Sequence, residues 1–376
     1  MRVFFKILGC FFLIASVVSF LYYWDSSRIY FMSLKSKNSF AFGDLPKEIT
    51  DFNLAATLHL QSSDQVSDAR DALQQAILGY SDLSRAQIDA QAIIYASGGR
   101  YNSADCDLFH PSANLTFCEI SHYSQWDALQ AIERLDIVMA PNYIPKVFVF
   151  YPAKTNGKLV LYHHGYAGTF NDQHVLIRRL VEAGYSVAAF NMTGYGDNIL
   201  NRPSPWIEAI NGDFAAIDHP LRVFFHPIIA TMNYLQETHG FKHIAMMGVS
   251  AGGWATAVTA ALDPRIVKSY PVAGVLPIGL RHGDKERAAP QYYPPMLAAA
   301  SYLDMFVLAS DRPGRSQMQF FNRYDRCCFN NVRGKLYEKI VASHAEGGFS
   351  VLIDETHARH KISSWAFDHI LQDMQR

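Results

Sequence analysis

One serine lies between two glycines in the stretch MMGVSAGGWAT, and its spacing could make Ser250 a nucleophile. The segment before it, HIAMMGV, is apolar like a buried strand, and the segment after it, GWATAVTAAL, favours a helix. A strand that turns sharply into a helix lifts the middle side chain of the turn out of the sheet, and glycines on either side let the two backbones pass closely. We therefore predict that Ser250 is a catalytic nucleophile. The alternative is a Gly-rich turn without chemistry.

Two backbone N–H groups near this serine could stabilise the oxyanion that forms when a serine attacks a carbonyl. Ala251 follows the serine at the start of the predicted helix and could donate one of them. The second is expected from the loop after the third predicted strand, which reads HHGYAGT from His163 to Thr169. We predict that Tyr166 donates this second N–H.

The rest of the chain supplies elements that could position these residues. Apolar, strand-like runs are predicted at Leu135–Ala140, Lys146–Tyr151, Lys158–His164, Tyr185–Phe190, His243–Val249, Ile266–Ala273, Met318–Phe321 and Phe349–Ile353. Helical runs separate the later strands. This alternation predicts an α/β fold, with a mostly parallel sheet and helices on both faces.

Together these motifs resemble the α/β-hydrolase superfamily, over about Glu133 to Arg376. The resemblance rests on the GVSAG turn, the HHGYAG loop, the run NMTGYGD after the fourth predicted strand, and the order Ser, Asp, His. The segments YDRCCF and THARHKIS are also similar to bacterial members of unknown substrate. The resemblance implies a serine hydrolase of the esterase or lipase kind. We expect no cofactor and no metal, because no metal-ligand motif such as CxxC or HExxH accompanies the histidines.

The resemblance places the catalytic acid after the seventh predicted strand. Asp325, in the run MQFFNRYDRCCF, holds that position, where its carboxylate would orient a histidine and stabilise the charged form of the ring. Three other acids compete for the role, although two have structural interpretations as cap or turn acids and the third falls early in its own apolar segment. These competitors are Asp304, Asp311 and Asp354.

The loop DETHARHKIS, after the eighth predicted strand, offers two histidines as the general base. His360 comes directly before the last predicted helix, where the superfamily places its catalytic histidine, so we prefer it. His357 is the alternative base. The predicted mechanism has His360 deprotonate Ser250, which attacks an ester carbonyl and forms an acyl-enzyme that water then hydrolyses.

The N-terminal 24 residues predict a membrane-spanning segment. The run ILGCFFLIASVVSFLYYW, from Ile7 to Trp24, carries no charge and ends in aromatic residues suited to a membrane interface. A cleaved signal peptide is the alternative, but the run ends in Tyr22, Tyr23 and Trp24 rather than in the small residues that cleavage requires. We expect a retained single-pass anchor with the catalytic domain on the exported side.

A linker and a helical N-terminal extension are predicted over residues 25–132, ahead of a catalytic domain over residues 133–376. Residues 66–80 and 84–96 have apolar side chains at helical spacing, which predicts two helices. The adjacent Cys327 and Cys328 are interpreted as packing beneath the acid loop rather than as a redox site, because adjacent cysteines form a disulfide only with strain.

The chain is nearly neutral, with 33 Lys and Arg against 34 Asp and Glu, which argues against a nucleic-acid partner. We expect a small-molecule or lipid-like ester as the substrate and a membrane as the partner of the N-terminal segment. The rival hypothesis is a membrane-tethered binding protein that keeps the fold without turnover. A peptidase or an acyltransferase of the same fold is a further alternative.

Overall fold

The computed structural model describes residues 11–19, 24–35, 40–96, 126–139, 143–166, 168–198, 218–281 and 288–376. Within these residues a nine-stranded sheet forms the centre of the molecule. Its strands are β1 Ala90–Ala96, β2 Leu129–Asp136, β3 Lys146–Pro152, β4 Lys158–His163, β5 Ser186–Phe190, β6 His243–Val249, β7 Ile266–Val272, β8 Ser316–Asn322 and β9 Gly348–Asp354. The labelled helices are α1 Asp25–Lys35, α2 Lys47–Thr50, α3 Val66–Leu78, α4 His174–Glu182, α5 Arg222–His239, α6 Ala251–Leu262, α7 Pro294–Ala299, α8 Tyr302–Leu308, α9 Lys335–Ala342 and α10 Ser364–Gln375.

The strand order across the sheet is β1-β2-β3-β5-β4-β6-β7-β8-β9. Pairing is antiparallel from β1 through β3 to β5 and parallel between all later neighbours. Parallel neighbours need crossover connections, and helices α4, α5, α6 and α9 lie within them. All parallel strands end at the same edge of a sheet. The loops after β4, β6, β8 and β9 therefore meet at one edge, where the predicted site residues lie.

Helix α6, which follows the predicted nucleophile, lies inside the protein. Every residue from Ala251 to Leu262 is buried, as expected for a helix that is apolar on all sides. Its Trp254 packs edge-on against Phe224 and Phe225 of α5, with ring centroids 5.8 and 5.1 Å away. The turn that carries Ser250 is therefore attached to a rigid element.

Two sequence predictions about the first strands are wrong. The predicted helix over residues 84–96 is absent, because Ala90–Ala96 forms β1 and pairs antiparallel with β2. Ile94 is 3% exposed, whereas its neighbour Ile93 is 60% exposed. Such alternation is typical of a strand, and this strand pairs with the open edge of β2. The first predicted strand is also displaced, since β2 covers Leu129–Asp136 rather than residues 135–140. A short apolar run fits both the helical and the strand periodicity, so the presence of a partner strand decides which structure forms.

The predicted helix over residues 66–80 is present as α3, and polar side chains bind it to the core of the protein. Arg70 donates to the carbonyl groups of Ala261 and Leu308, and its guanidinium lies 2.6 Å from Asp311. The last carbonyl groups of a helix have no hydrogen-bond donor within that helix, and Arg70 is the donor for these two. The N-terminal extension thus packs on the end of α6, while the predicted boundary at residue 133 stays a prediction.

The predicted membrane segment over residues 1–24 falls mostly outside the described residues. Residues 11–19 are helical, and their apolar side chains, including Phe11 and Leu13, are exposed. Within the described ranges, no helix combines the length and the apolar character that crossing a bilayer requires.

Candidate active site

Ser250 lies in a strained turn between β6 and α6. Its φ of 58° and ψ of −128° place a non-glycine residue at positive φ, a conformation that costs about 1–3 kcal/mol and needs support from its surroundings. A Cβ at Gly248 would lie 2.3 Å from the carbonyl oxygen of Gly252, and one at Gly252 would lie 2.0 Å from that of His163. Both glycines are therefore required by close backbone approach, as the sequence predicted.

The loop after β4 lies directly on this turn. A Cβ at Gly165 would come within 2.7 Å of the Cβ of Ser250, so the backbone of the loop passes next to the serine. Tyr166 follows Gly165 in that loop, and Ala251 begins α6 on the other side of the serine. The structure thus places both predicted oxyanion donors in segments that adjoin Ser250, while Ala167 of the same loop lies outside the described residues.

The two histidines of this loop are buried and support it while uncharged. Nδ1 of His163 lies 2.8 Å from the carbonyl oxygen of His164, and Nδ1 of His164 lies 2.8 Å from the hydroxyl of Tyr162. Burial lowers the pKa of His163 to about 4, and burial together with the nearby His360 lowers that of His164 to about 4 against the opposing effect of Asp172. Both rings are therefore neutral near pH 7, and His360 lies close to the loop after β4.

Asp325 follows β8 in a turn and is 1% exposed. Its Oδ2 pairs with Nδ1 of His360, and its Oδ1 accepts a 2.8 Å hydrogen bond from the backbone N–H of Cys327. The side chain of Asn330 donates to the backbone carbonyl of Asp325 at 2.6 Å. The predicted acid is therefore fixed on both carboxylate oxygens, and one of them holds the preferred base.

The two candidate bases have different partners. Among the described residues, Nε2 of His360 is buried without a hydrogen-bond partner, and its Nδ1 is held by Asp325. Nε2 of His357 also makes no regular hydrogen bond, but it lies 3.2 Å from the carboxylate of Asp354, and its Nδ1 accepts a 3.0 Å hydrogen bond from the N–H of Arg359. A general base needs one nitrogen held by an acid and the other available for a proton, and His360 has this arrangement.

The serine hydroxyl and Nε2 of His360 are not hydrogen-bonded. In hydrolases without bound substrate this bond is often long and shortens only in the complex. The structure therefore brings Asp325 and His360 into contact and shows no hydrogen bond between His360 and Ser250.

The three competing acids have other partners. Asp304 caps α8 with Ser301 and accepts hydrogen bonds from the backbone N–H groups of residues 59 and 60. Asp311 lies between Arg70 and Arg315, at 2.6 and 2.5 Å. Burial alone would raise the pKa of Asp354, but its interactions with His357, Ser363 and Thr356 outweigh burial and lower this pKa to about 2. Each of these acids stabilises the fold where it lies.

Asn322 is a site residue that the sequence analysis missed. It ends β8, is fully buried, and donates from Nδ2 to the carbonyl oxygens of Arg359 at 3.3 Å and Lys361 at 2.9 Å. These two carbonyl groups flank His360, so Asn322 fixes the base loop from the neighbouring strand. A buried asparagine at the end of an apolar strand was the available signal.

The adjacent cysteines also lie at the site. Cys327 and Cys328 form a disulfide, contrary to the interpretation of free packing residues. Together with His360 they bring three potential ligand atoms within 4.8 Å of one another. Cys327 is partly exposed and Cys328 is buried. The pair therefore adjoins both the acid and the base.

Two cavities lie away from these residues. One of about 270 Å³ is lined by the starts of β4, β6 and β7, and one of about 560 Å³ by residues of β2 and β3 and the end of α5. The first opens at the amino ends of the parallel strands, opposite the predicted site. The loops that carry the predicted nucleophile, acid and base lie at the carboxyl edge instead.

Known proteins are similar to this chain in sequence pattern and in fold. The family model of the α/β hydrolase fold matches residues 158–344. No match was found among curated proteins. The methylesterase BT1017 is 15% identical with a TM-score of 0.58, and the match covers 87% of this chain and 66% of that one.

Two acetyl xylan esterases have the same fold over a similar range. The enzyme from Paenibacillus sp. R4 is 15% identical with a TM-score of 0.52, covering 88% of this chain and 99% of its own. Acetyl xylan esterase 1 from Thermoanaerobacterium sp. JW/SL YS485 is 13% identical with a TM-score of 0.53, covering 88% and 98%. The strand order, the turn at Ser250 and the family model matched over residues 158–344 together identify the α/β-hydrolase fold in this chain.

Proposed function

We propose that the protein is a serine hydrolase that cleaves carboxylic esters through Ser250, Asp325 and His360. The observation that supports this most strongly is His360, whose Nδ1 is bound to a buried carboxylate while its Nε2 has no partner among the described residues. This ring lies by the loop that contacts Ser250. Nucleophilic acyl transfer requires a serine that projects from its turn, an imidazole that takes its proton and an acid that orients the imidazole.

In the proposed reaction, the proton of the Ser250 hydroxyl moves to Nε2 of His360 as the serine oxygen bonds to the ester carbonyl carbon. Asp325 stabilises the imidazolium, and the N–H groups of Ala251 and Tyr166 stabilise the oxyanion. The imidazolium then protonates the departing alkoxide, which leaves as the alcohol. Water, deprotonated by His360, releases the acid and restores the serine.

Ester cleavage is favoured over the alternatives. The structural neighbours described above are esterases, whereas no observation on this chain favours a peptidase or an acyltransferase. The strained backbone at Ser250 argues against a binding protein without turnover, because a positive φ at a non-glycine residue has a cost that binding does not require.

Turnover of nitrophenyl esters with acyl chains of graded length, together with labelling by a fluorophosphonate, tests this proposal. We expect hydrolysis of at least one ester and labelling of one site, Ser250. The preference for chain length would then define the acyl pocket. A folded protein, verified by a cooperative thermal transition, that neither hydrolyses an ester nor takes up the probe would contradict the proposal.

We also propose that the N-terminal segment anchors the enzyme in a membrane with the catalytic domain on the exported side. The support is the uncharged run from Ile7 to Trp24 and the exposed apolar residues of α1, which include Phe31 and Leu34. Asp25 at the start of α1 lies 3.5 Å from Arg359, next to the proposed base. A substrate that enters from the membrane, along the side of the protein that carries α1, would be a lipid-like ester.

Alkaline carbonate extraction of cell membranes tests the anchor. The full chain should stay in the membrane pellet, whereas a variant without residues 1–24 should appear in the supernatant, since it lacks the apolar run. Intact mass of the pelleted protein distinguishes a retained anchor from a cleaved signal peptide. Release of the full chain by carbonate would disprove the anchor.

A further inference from the structure

The turn that carries the proposed catalytic acid contains a disulfide between neighbouring residues. Cys327 and Cys328 are two and three positions after Asp325, with Cα atoms 3.8 Å apart. A disulfide between adjacent residues closes a small ring that includes their shared peptide bond. The torsions of that peptide are therefore coupled to the oxidation state of the two sulfurs.

This ring is directly connected to the carboxylate. The backbone N–H of Cys327 donates to Oδ1 of Asp325, while Oδ2 of the same carboxylate holds His360. A change in the direction of that N–H therefore changes the orientation of the Asp325 carboxylate. The orientation of the His360 ring, which this carboxylate holds, changes with it. Both sulfurs also lie within 4.8 Å of a ring nitrogen of His360.

The other half of the turn has independent support. Asn330 donates to the backbone carbonyl of Asp325, and Arg333 donates to the backbone and side-chain oxygens of Asn330 at 3.0 and 2.9 Å. The guanidinium of Arg281 lies over the ring of Phe329, with its Cζ 4.4 Å from the ring centroid. Opening the disulfide would therefore loosen the contact at Asp325 while the rest of the turn keeps its anchors.

We propose that Cys327 and Cys328 are positioning residues for Asp325 and a reversible modification site, at which a dithiol reductant switches the proposed hydrolase to a less active state. This inference rests on the proposed function. In the reduction, a thiolate of the dithiol attacks one cysteine sulfur and forms a mixed disulfide, and its second thiolate displaces that cysteine. The two cysteines gain two electrons and two protons, and the dithiol leaves as its own disulfide.

Exposure favours one point of attack. Cys327 is partly exposed, whereas Cys328 is 4% exposed. A protein or small-molecule dithiol therefore reaches the sulfur of Cys327 first, and Cys328 is the leaving thiolate.

Kinetics of the full-length enzyme in its oxidised and reduced forms test the inference. After treatment with dithiothreitol we expect kcat to fall about 10- to 100-fold, because small misplacements of catalytic groups have effects of this size, while KM stays within about twofold. Re-oxidation with diamide should restore kcat. The rate of fluorophosphonate labelling should fall and recover in parallel.

The variant with Cys327→Ser and Cys328→Ser is the matched control. It cannot close the ring, so it should have the kcat of the reduced wild type, with or without dithiothreitol, and a thermal midpoint close to that of the reduced wild type. It keeps Cys10, Cys106 and Cys118, so any effect of those cysteines would appear in it as a response to dithiothreitol.

Three outcomes separate the possibilities. Equal kcat and equal labelling in the oxidised and reduced wild type would overturn the inference and leave the proposed function intact. A double variant that loses activity on reduction as the wild type does would also overturn it, because other cysteines would then be responsible. No turnover and no labelling in either form would overturn the proposed function, and the redox control with it.

Discussion

Replacing Ser250 with alanine should lower kcat/KM for ester hydrolysis by about 10⁶-fold, to the level set by the oxyanion donors and binding alone. In the proposed reaction, the hydroxyl of Ser250, in the turn between β6 and α6, is the group that attacks the carbonyl. Alanine keeps the Cβ and the backbone strain of this position, so the turn itself is preserved. The measurement is steady-state kinetics with the best ester of the graded panel.

A glycine at the same position provides the control for folding. Ser250→Gly should be as inactive as Ser250→Ala but should have a higher free energy of unfolding, because glycine adopts a φ of 58° without steric cost. Activity in the alanine variant within about tenfold of wild type would show that another residue is the nucleophile.

The two histidines of the base loop should differ by several orders of magnitude in their effect. His360→Ala should lower kcat by at least about 10⁴-fold, because the group that takes the serine proton and the partner of Asp325 are both lost. His357→Ala should keep kcat within about tenfold. This histidine instead binds Asp354 and the backbone of Arg359, so its loss should reduce the free energy of unfolding by about 1–3 kcal/mol.

Parallel kinetics and urea unfolding of both variants check this prediction. The expected pattern is a crossed one: the His360 variant is stable and inactive, and the His357 variant is active and less stable. An inactive His357 variant with normal stability, beside an active His360 variant, would reverse the assignment of the base.

Local sequence signals predicted much of the nucleophile region. The glycines around Ser250 are required by contacts between segments that touch in any strand-turn-helix unit of this kind, so the pattern alone indicates the turn. The pattern of the HHGYAG loop likewise indicated its place beside Ser250. The predicted alternation of strands and helices from Lys146 onward is confirmed as β3 to α10.

Predictions that depended on an unknown partner strand were less accurate. Residues 84–96 carry apolar side chains that fit helix and strand alike, and only the open edge of β2 makes Ala90–Ala96 a strand. Asn322 escaped notice for a related reason, since its role depends on carbonyl groups 37 and 39 positions away.

The pairing of acids with histidines was decided by the tertiary structure. The sequence by itself determined that an acid loop follows one strand and a loop with two histidines follows the next, and it left four acids and both histidines as candidates. The parallel register of β8 and β9, which sets Asn322 opposite Asp354, brings the two loops to the same edge. There Asp354 contacts His357 and Asp325 binds His360, because each contact forms only between groups that the folded backbone places within about 3 Å of each other.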